Sequence, residues 1–471
     1  MIDLDTPLAV SPDVMLRLEH FGAIALHRKD RKYVTLNRTA ARLFRIASGE
    51  AFTPRHLFEE ALSEGTPPSE ETATAISDLV YRGLEDGLLV VSPDARVSEP
   101  GRERPAPQFP NALPLSAPVE AAVYITQRCP LECDFCYLRN SDLPILDMET
   151  RRIPELVSRL REAGIMSVSV LGGEPLAAPE QLSRLLTEAN GEIPLCIVTS
   201  GAVHDTRFLE ELAENPAIGS ALEIDVSVHG ASEAVHSLHT GRSGLLPIVG
   251  AFIERFSQLC SVCVKCVVTR RNVDELPGLA QWAKARGARG FQAQALMPQR
   301  GQTLNDYLKQ APDPETMGRI GVELDAIGGS EAAFFVLRPP PYLEPEPSGQ
   351  GESTQSLTPS PALALGQCSA VWRSIEITPS GDVYPCCLAM GQPHYRAGNV
   401  FESPVNELWR SEAFARFRER RADEIVSLTC RSCDRLVDCR GGCLMNAEIL
   451  TGNPLSGDPL CPRNLRRSNE P

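Results

Sequence analysis

The sequence predicts an α/β protein built around a partial (β/α)6 barrel, with an N-terminal α+β domain and a cysteine-rich C-terminal domain. Three observations support this fold class. Strand-like and helix-like segments alternate through the middle of the chain, two Pro-rich segments interrupt it, and cysteines accumulate towards its C-terminal end. The predicted parts are a domain at 1–96, a linker at 97–118, the barrel at 119–337, a second linker at 338–365 and a last domain at 366–471.

The N-terminal segment has the pattern of a hairpin followed by helices. FGAIALH and KYVTLN bracket a polar turn, which predicts two half-buried strands. Helical patterns follow at 38–46, 54–63 and 69–87, before a strand-like LLVV. Over residues 11–92 this order resembles the winged-helix peptide-recognition domain of enzymes that modify ribosomally made peptides. In that family the substrate's leader peptide adds a strand to the hairpin edge. The alternative is a generic winged helix that serves as a nucleic-acid or structural module.

The central segment repeats a strand followed by an amphipathic helix. Because strands that alternate with helices imply a parallel sheet, we expect reactive groups at the C-terminal ends of these strands. The candidate strands are AVYIT, MSVSVLG, PLCIVTSG, LEIDVSVHG, VCVKCVVT and GFQAQALMP. The candidate helices lie at 153–164, 179–190, 208–215, 245–259 and 273–286.

Three cysteines follow the first barrel strand. Cys129, Cys133 and Cys136 have the spacing C-x3-C-x2-C. Four cysteines would close a [4Fe–4S] cluster, whereas three leave one iron free for an external ligand. The amino and carboxylate groups of a methionine derivative can chelate that iron and hold a sulfonium beside the cluster. The alternative is a structural zinc site, but such sites close with four ligands and no fourth Cys or His lies near Cys129.

This loop, at the end of the first strand, resembles the cluster loop of the radical S-adenosylmethionine (SAM) superfamily. The resemblance implies that SAM is cleaved to methionine and a 5′-deoxyadenosyl radical. It also implies that Phe135 packs near the adenine, that the GGEP segment contacts the SAM amino group, and that Ser227 contacts the ribose. The GGEP glycines would let the backbone approach the ligand closely. The segment consists of Gly172, Gly173, Glu174 and Pro175. The plain alternatives are an exposed acid at 174 and an ordinary strand residue at 227.

The C-terminal cysteines have the spacing C-x12-G-x4-C, then C-x2-C-x5-C-x3-C, with Cys461 last. Over residues 366–465 this pattern resembles the SPASM extension of radical SAM peptide-modifying enzymes. The resemblance implies two auxiliary clusters, hence three [4Fe–4S] clusters in all. The outer cluster would be held by Cys430, Cys433, Cys439 and Cys461, and the inner one by Cys368, Cys386 and Cys443.

The inner cluster has no evident fourth cysteine. Several relatives carry one just upstream of the first ligand, where this chain reads SPALALGQ. The inner cluster is therefore expected to have an open iron or an unusual ligand. An open iron would bind a substrate thiolate. Cys387 is another candidate, although neighbouring residues on a strand point to opposite sides.

Other cysteines and histidines are expected to be structural. Cys260, Cys263 and Cys266 have ferredoxin-like spacing, but on a strand residues three apart face opposite sides and cannot converge on one metal. Core packing is therefore expected for them and for Cys196. His229 and His236 are candidates for proton transfer or for plain hydrogen bonding.

Composition narrows the class of protein. A net charge of −15 argues against a nucleic-acid partner, because such binding depends on Lys and Arg neutralising phosphates. No apolar run is long enough to span a membrane. The first residues lack a signal-peptide pattern, so a cytoplasmic location is expected. Fifteen cysteines in that compartment indicate metal ligation rather than disulfides.

Together these features predict a maturase that oxidises a peptide or small protein bound through the N-terminal domain. The resemblance to sactipeptide and quinohaemoprotein amine dehydrogenase maturases favours a cross-link from a Cys sulfur to a carbon. A carbon–carbon cross-link, formylglycine-type oxidation and a protein that only transfers electrons are the alternatives. Low-potential electrons imply a flavodoxin or ferredoxin as reductant. No catalytic residue is assigned from the sequence.

Overall fold

The N-terminal unit combines small antiparallel sheets with two helices. Its strands are β1 (Leu8–Val10), β2 (Val14–Glu19), β3 (Gly22–His27), β4 (Lys32–Asn37) and β5 (Leu89–Val91), and its helices α1 (Pro54–Ser63) and α2 (Glu70–Glu85). The predicted hairpin is present as β3 and β4, and β2 extends it into a three-stranded sheet that has β3 in the centre. The strand β2 was not predicted from the sequence, and neither was β1, which pairs with β5.

In this computed structural model the second unit begins at Ala117. The structure describes residues 3–28, 32–38, 40, 41, 44, 51–63, 70–93, 115–139, 141–202, 205–216, 218, 221–329, 334–337, 369–434 and 436–468. Residues 97–114, the second predicted linker and Cys368 therefore lie outside the described residues. Much of the predicted helix at 38–46 lies outside them as well.

The second unit carries the parallel sheet. Its strands are β6 (Glu120–Thr126), β7 (Ser167–Gly172), β8 (Leu195–Thr199), β9 (Leu222–Ser227), β10 (Ser261–Val268), β11 (Gly290–Ala295), β12 (Phe335–Leu337), β13 (Ser374–Ile377), β14 (Asp382–Tyr384) and β15 (Gly398–Asn399). The six strands predicted for the barrel are thus present as β6 to β11. Each pairs in parallel with the next, as the alternation of strands and helices requires.

The helices of the second unit fall into a barrel set and a C-terminal set. The first set is α3 (Ile153–Glu162), α4 (Pro179–Ala189), α5 (Thr206–Ala213), α6 (Glu233–Thr240), α7 (Leu246–Phe256), α8 (Leu276–Ala285), α9 (Leu304–Gln310) and α10 (Pro314–Gly328). The second set is α11 (Val405–Trp409), α12 (Glu412–Arg418), α13 (Leu428–Arg431), α14 (Leu436–Cys439), α15 (Leu444–Thr451) and α16 (Pro462–Ser468). Among the described residues, none of the helices combines the length and the apolar composition of a membrane span.

The sheet continues past the barrel into the C-terminal part of the chain. The strand β13 pairs in parallel with β6, and β14 and β15 then add antiparallel strands beyond it. The described strands therefore form one sheet in the order β12-β11-β10-β9-β8-β7-β6-β13-β14-β15. As a result, the chain that follows β14 and the cysteine loop that follows β6 are carried by the same sheet.

Alternate residues of the barrel strands face different environments. Val123, Val226 and Val264 lie in the hydrophobic core that the helices cover. Their neighbours Tyr124 and Asp225 belong to the other face, because successive side chains of a strand point to opposite sides. That inner face also carries Lys265, Glu376 and Gln292. The lumen of the barrel is therefore polar and charged, while its outer face is apolar.

The helix α6 is an element that the sequence analysis did not identify. Its sequence EAVHSLHT contains β-branched and imidazole side chains, which have low helix propensity, so the helix is not evident from residue propensities. Caps define it instead. The Ser232 side chain accepts a hydrogen bond from Val235 N, and Gly241 ends the helix at φ 72°.

Candidate cofactor site

The cysteine loop is anchored to α6 by its backbone. Glu132 N donates to Thr240 O at 2.9 Å, and Asp134 N donates to His239 O at 3.2 Å. On the opposite side, Gln299 Nε2 donates to Asp134 O at 2.8 Å. The loop is thus fixed by two segments of the chain on both sides of its second cysteine, Cys133.

Side chains reinforce this anchor. His239 is fully buried and its Nδ1 lies 3.3 Å from Asp134 Oδ1, while its Nε2 lies 3.0 Å from Thr269 Oγ1. Arg271 Nη1 donates to the other carboxylate oxygen of Asp134 at 3.0 Å. Asp134, which lies between Cys133 and Phe135, therefore bridges His239 and Arg271.

The three thiols of the loop are close enough to affect one another's ionisation. Burial, reinforced by the neighbouring thiolates of Cys136 and Cys129, raises the pKa of Cys133 to about 12. Burial also raises the pKa of Cys129 to about 11, against the hydrogen bond that its Sγ accepts from Leu131 N. Three crowded thiolates without a cation are unfavourable, so the donor set suits a positively charged iron centre.

The spacing of these sulfurs distinguishes a cluster from a single ion. Among the described residues, no three Cys, His, Asp or Glu side chains are spaced to ligate one metal ion. In a [4Fe–4S] cluster each thiolate binds a different iron, so the three sulfurs stand further apart than ligands of one zinc ion.

The GGEP glycines pack directly against the protein backbone. A Cβ on Gly172 would lie 2.4 Å from Thr126 O, and a Cβ on Gly173 would lie 2.2 Å from Arg128 O. Gly173 N donates to Thr126 O at 2.9 Å. The glycines therefore allow β7 to pack closely against the chain that leads into the cysteine loop. Their close approach to a ligand stays a prediction.

Glu174 is buried, not the exposed acid of the alternative interpretation. Its Oε1 accepts hydrogen bonds from Leu176 N at 3.0 Å and Thr199 Oγ1 at 2.5 Å. Its Oε2 accepts from Ser200 N at 2.8 Å and from the Ser200 hydroxyl. The carboxylate thus ties the end of β7 to the end of β8. Pro175, which follows it, is buried at the start of a 3-10 turn.

Phe135, Ser227 and His229 lie at the mouth of the barrel. The Phe135 ring packs edge-on against His229, with 4.6 Å between ring centroids. Ser227 ends β9, and its hydroxyl makes no hydrogen bond to any described residue. Since Val226 and Val228 face the core, Ser227 and His229 share the inner side of the strand.

The lumen below Ser227 contains a charged pair. Lys265 Nζ lies 2.5 Å from Asp225 Oδ2, and the Cys196 thiol donates to the same oxygen at 3.2 Å. Burial lowers the pKa of Lys265, but the charge and hydrogen bond of Asp225, together with the charges of Cys196 and Cys263, outweigh it, so the net shift is upward. Cys196 is therefore buried, as expected, but in polar surroundings and not in the hydrophobic core.

The cysteines of β10 do not converge, as predicted. Cys266 lies in the hydrophobic core beside Asn272. Cys263 faces the opposite side, where Asp225 and Lys265 act on its thiol. Because side chains alternate along a strand, the sulfurs of Cys263 and Cys266 lie on opposite faces of the sheet.

A second buried network lies between β6 and β13. The hydroxyls of Tyr124 and Tyr137 are 2.9 Å apart, and Tyr124 also bonds the Glu376 carboxyl. Burial raises the pKa of Glu376 to about 7. The Glu376 Oε2 atom is buried without a hydrogen-bond partner. This network connects the residue after Cys136 with the first strand of the C-terminal region.

The C-terminal cysteines collect around two adjacent glycines. Burial raises the pKa of the Cys439 thiol, whereas backbone N–H groups of Gly442 and Gly441 lower it, and the charges of Cys461 and Cys430 raise it. These three sulfurs are therefore neighbours. Arg463 Nη1 donates to Cys433 Sγ at 2.9 Å, and Asn464 Nδ2 lies 3.9 Å from Cys430 Sγ.

The glycine turn is fixed by buried charges. Gly441 and Gly442 have φ values of 82° and 75°, which side chains rarely adopt. Arg420 donates to their carbonyl oxygens at 3.4 and 3.1 Å. Asp458 accepts from Cys443 N at 3.2 Å and from Asn446 Nδ2. Hydrogen bonds of this kind orient metal ligands from outside the first coordination sphere.

Cys386 and Cys387 point to different neighbours. The charge of Cys386 acts on Tyr395, whereas that of Cys387 acts on Tyr124 and Tyr137. Cys387 Sγ also lies 3.9 Å from Met297 Sδ. The divergence of the two side chains stays a prediction. Cys443 caps α15 and its Sγ accepts from Asn446 N at 3.4 Å, while Cys368 lies outside the described residues.

Two family models match this chain. Residues 123–283 match the Radical SAM superfamily, and residues 368–434 match the SPASM iron–sulfur cluster-binding domain. The chain is a radical SAM enzyme with a SPASM domain. The barrel match includes the cysteine loop, the GGEP segment and β9, and the SPASM match includes the C-terminal cysteines up to Cys433.

Curated relatives and solved structures extend the match. The radical SAM enzyme is 26% identical to the PqqA peptide cyclase of Methylobacterium sp. over 355 residues, 74% of this chain and 86% of the relative. It is 27% identical to the mycofactocin maturase MftC of Mycobacterium tuberculosis, over 74% of this chain and 83% of the relative. Streptococcus suis SuiB bound to S-adenosylmethionine has a similar fold, with a TM-score of 0.68 and 19% identity over 96% of this chain and 100% of SuiB.

In this radical SAM enzyme the fold brings together residues that the motifs did not connect. His239, Asp134, Arg271, Arg420 and Asp458 support the cysteine loops, and none was singled out from the sequence. The signal available for His239 was its spacing of three residues from His236 in EAVHSLHT, which places both on one side of a helix. Arg420 and Asp458 carry no such signal.

Proposed function

We propose that this radical SAM enzyme binds a ribosomally made peptide or small protein and joins a cysteine sulfur of that substrate to a carbon of another residue. The curated relatives are named as a peptide cyclase and a maturase, which supports a peptide substrate. The proposal includes three [4Fe–4S] clusters, with the ligand sets given for the barrel loop and the SPASM cysteines.

The observation that carries the proposal is the continuity of the sheet. The cysteine loop follows β6, Cys386 follows β14, and β13 joins the two by pairing with β6. A radical-forming site and an electron-accepting site on one rigid sheet suit a net oxidation of the substrate. A reaction that returned its electron to SAM would not need the second set of cysteines.

The electron balance of a thioether fits this arrangement. Forming one C–S bond from a thiol and a C–H bond removes two hydrogen atoms from the peptide. When bound, the cluster and SAM supply the radical that takes one hydrogen atom, and an auxiliary cluster supplies the acceptor for the remaining electron. The thiol proton leaves to a base, and Asp225 and Glu376 are two carboxylates of the lumen that suit this role.

The N-terminal unit is proposed to hold the leader peptide. The strands β2 and β4 are the edges of the three-stranded sheet, and an edge strand has unpaired backbone groups that an extended peptide can bond. The hairpin edge is β4. Binding there would raise the effective concentration of the core peptide at the barrel.

Mass spectrometry of a co-expressed substrate tests the reaction. A thioether predicts a loss of two hydrogens per cross-link and a cysteine that no longer reacts with iodoacetamide. A carbon–carbon bond gives the same mass change with the thiol still reactive. Formylglycine gives loss of sulfur and an aldehyde that hydrazide reagents detect. An electron-transfer protein would leave the peptide unchanged and form no 5′-deoxyadenosine from SAM and reductant.

Separation of leader and core tests the role of the N-terminal unit. The full-length substrate and a core peptide without its leader are compared with the intact enzyme, using a reduced flavodoxin or ferredoxin as electron donor. We expect the core alone to react at least tenfold more slowly, with restoration when the leader is added in trans. Equal rates for both peptides would contradict leader binding.

A further inference from the structure

His229 has one ring nitrogen that the protein uses and one that it does not. Its Nδ1 accepts a hydrogen bond from Val267 N at 3.3 Å. The residue is only 4% exposed, yet its Nε2 makes no hydrogen bond to any described residue and is not enclosed by them. A buried imidazole with one free nitrogen at the mouth of a barrel is a feature that internal packing alone does not explain.

The tautomer of His229 is fixed by this geometry. A nitrogen that accepts a backbone N–H carries no proton, so the ring proton must lie on Nε2. His229 N in turn donates to His236 Nδ1 at 3.2 Å, and Asn272 Nδ2 donates to His229 O at 3.0 Å. Backbone and ring are therefore both held, and the free atom is a permanent donor.

The position of this donor is next to the expected nucleoside. His229 follows Ser227 by two residues on the same side of the strand, so the two side chains are separated by roughly 7 Å. Phe135, which the radical SAM resemblance places near the adenine, packs against the His229 ring. A ligand with its ribose at Ser227 and its base beside Phe135 would place the base within reach of His229 Nε2.

The charge state of His229 suits a cationic ligand. Burial lowers the pKa of His229 well below its ordinary value, and the nearby rings of His236 and His239 lower it further. SAM carries a sulfonium, and a protonated imidazole beside it would repel that charge. A neutral donor offers a hydrogen bond without this penalty.

We propose that His229 is a further SAM-binding residue, whose Nε2–H donates a hydrogen bond to a ring nitrogen of the adenine. The proposal concerns the cofactor and is independent of which bond the enzyme forms in its peptide. It also gives His229 a role different from both proton transfer and a purely structural hydrogen bond.

Two amide substitutions separate the two nitrogens of the ring. In His229→Asn the amide oxygen overlies Nδ1 and can still accept from Val267 N, but no atom overlies Nε2. In His229→Gln the amide reaches the Nε2 position, but the acceptor for Val267 N is lost. The first variant removes the proposed ligand contact, and the second removes the structural one.

Equilibrium binding of SAM to the anaerobically reconstituted holoenzyme is the test, with bound SAM normalised to iron content. We expect His229→Asn to bind SAM about 3- to 10-fold more weakly while its thermal midpoint stays near that of the wild type. We expect His229→Gln to bind within about twofold of the wild type but to unfold at a lower temperature. His394→Asn, at an exposed histidine, is the control and should change neither quantity.

Deaza analogues of SAM identify the accepting atom. Replacing the correct purine nitrogen by CH should weaken binding to the wild type by the same factor and leave binding to His229→Asn unchanged. Wild-type affinity in His229→Asn would overturn the proposal. So would equal binding of SAM and of its 1-, 3- and 7-deaza analogues to the wild-type enzyme.

Discussion

His239 Nδ1 lies 3.3 Å from Asp134 Oδ1, so the end of α6 is joined to the cysteine loop between Cys133 and Phe135. His239 is fully buried, and its second nitrogen lies 3.0 Å from Thr269 Oγ1. The imidazole therefore links the residue that follows β10 to the loop of the predicted cluster ligands. One side chain thus joins α6, the cysteine loop and the chain after β10, which are distant in sequence.

Replacing His239 is expected to loosen the cluster loop. His239→Leu removes the bonds to Asp134 and Thr269, each of which is worth roughly 1 kcal/mol. We expect faster loss of iron from the barrel cluster when a chelator is added, measured by the decay of the SAM-perturbed electron paramagnetic resonance signal. His394→Leu, at an exposed site, is the control. An unchanged rate of iron loss would show that the loop holds its shape without this contact.

Gly173 should not tolerate a side chain. A Cβ there would lie 2.2 Å from Arg128 O, so Gly173→Ala must displace the backbone just before Cys129. We expect SAM cleavage to fall at least 100-fold, measured as 5′-deoxyadenosine formed per barrel cluster. Gly278→Ala is the matched control. Gly278 lies in the helix α8, and a Cβ there would contact only the Cβ of Ala231, at 3.7 Å. That variant should keep its activity and gain up to about 1 kcal/mol in stability.

Arg420 and Arg421 are neighbours with opposite expected importance. Arg420 is 6% exposed and bonds the carbonyls of Gly441 and Gly442. Arg420→Leu should destabilise the C-terminal region by about 2–3 kcal/mol, because hydrogen bonds to a buried charged group are lost. The pair of Arg421 with Asp423 is exposed to solvent and therefore stabilises the protein little, so Arg421→Leu is the control. Denaturant midpoints and auxiliary-cluster content measure both effects.

Glu376 makes stability depend on pH. Its pKa is raised from 4.5 in the unfolded chain to about 7 in the folded one, mainly by burial. Between these values the unfolded carboxyl is ionised and the folded one is protonated, so stability falls as pH rises from 4.5 to about 7 and is level above that. The total loss in the free energy of unfolding is about 3 kcal/mol, because each pKa unit corresponds to about 1.36 kcal/mol.

Glu376→Gln removes this titration. Relative to the wild type, the variant should therefore gain stability between pH 5 and pH 8, by an amount on the order of 3 kcal/mol. Urea unfolding midpoints at the two pH values measure the change. A difference between the two proteins that does not vary with pH would mean that Glu376 ionises normally in the folded enzyme.

Substitution of a predicted cluster ligand and substitution of a structural cysteine should differ in their effect on iron content. Cys133→Ala removes a predicted ligand, so reconstituted protein should lose about a third of its iron if three clusters are present. Cys260→Ala, which changes a cysteine of the β10 region, should keep the full iron content. Iron and sulfide analysis with Mössbauer spectroscopy measures both. Equal loss in the two variants would contradict the separation of ligand and structural cysteines.

The sequence by itself determined the positions of the strands that build the barrel. The strands β6 to β11 were predicted from strand-like segments that alternate with amphipathic helical segments, since burial imposes apolar patterns that can be read along the chain. The cluster loop, the GGEP segment and the SPASM cysteines were found because their ligands are close in sequence. Short spacing is what makes such motifs visible.

Only the tertiary structure decided which distant residues support these motifs. The pairing of β13 with β6 extends the barrel sheet into the SPASM region, and no local pattern encodes the partner of a strand. His239, Arg420 and the free nitrogen of His229 gain their roles from neighbours tens to hundreds of residues away, or from a ring orientation set by a backbone N–H. Sequence periodicity reports which face of an element is buried, whereas hydrogen-bond partners depend on how the elements are packed.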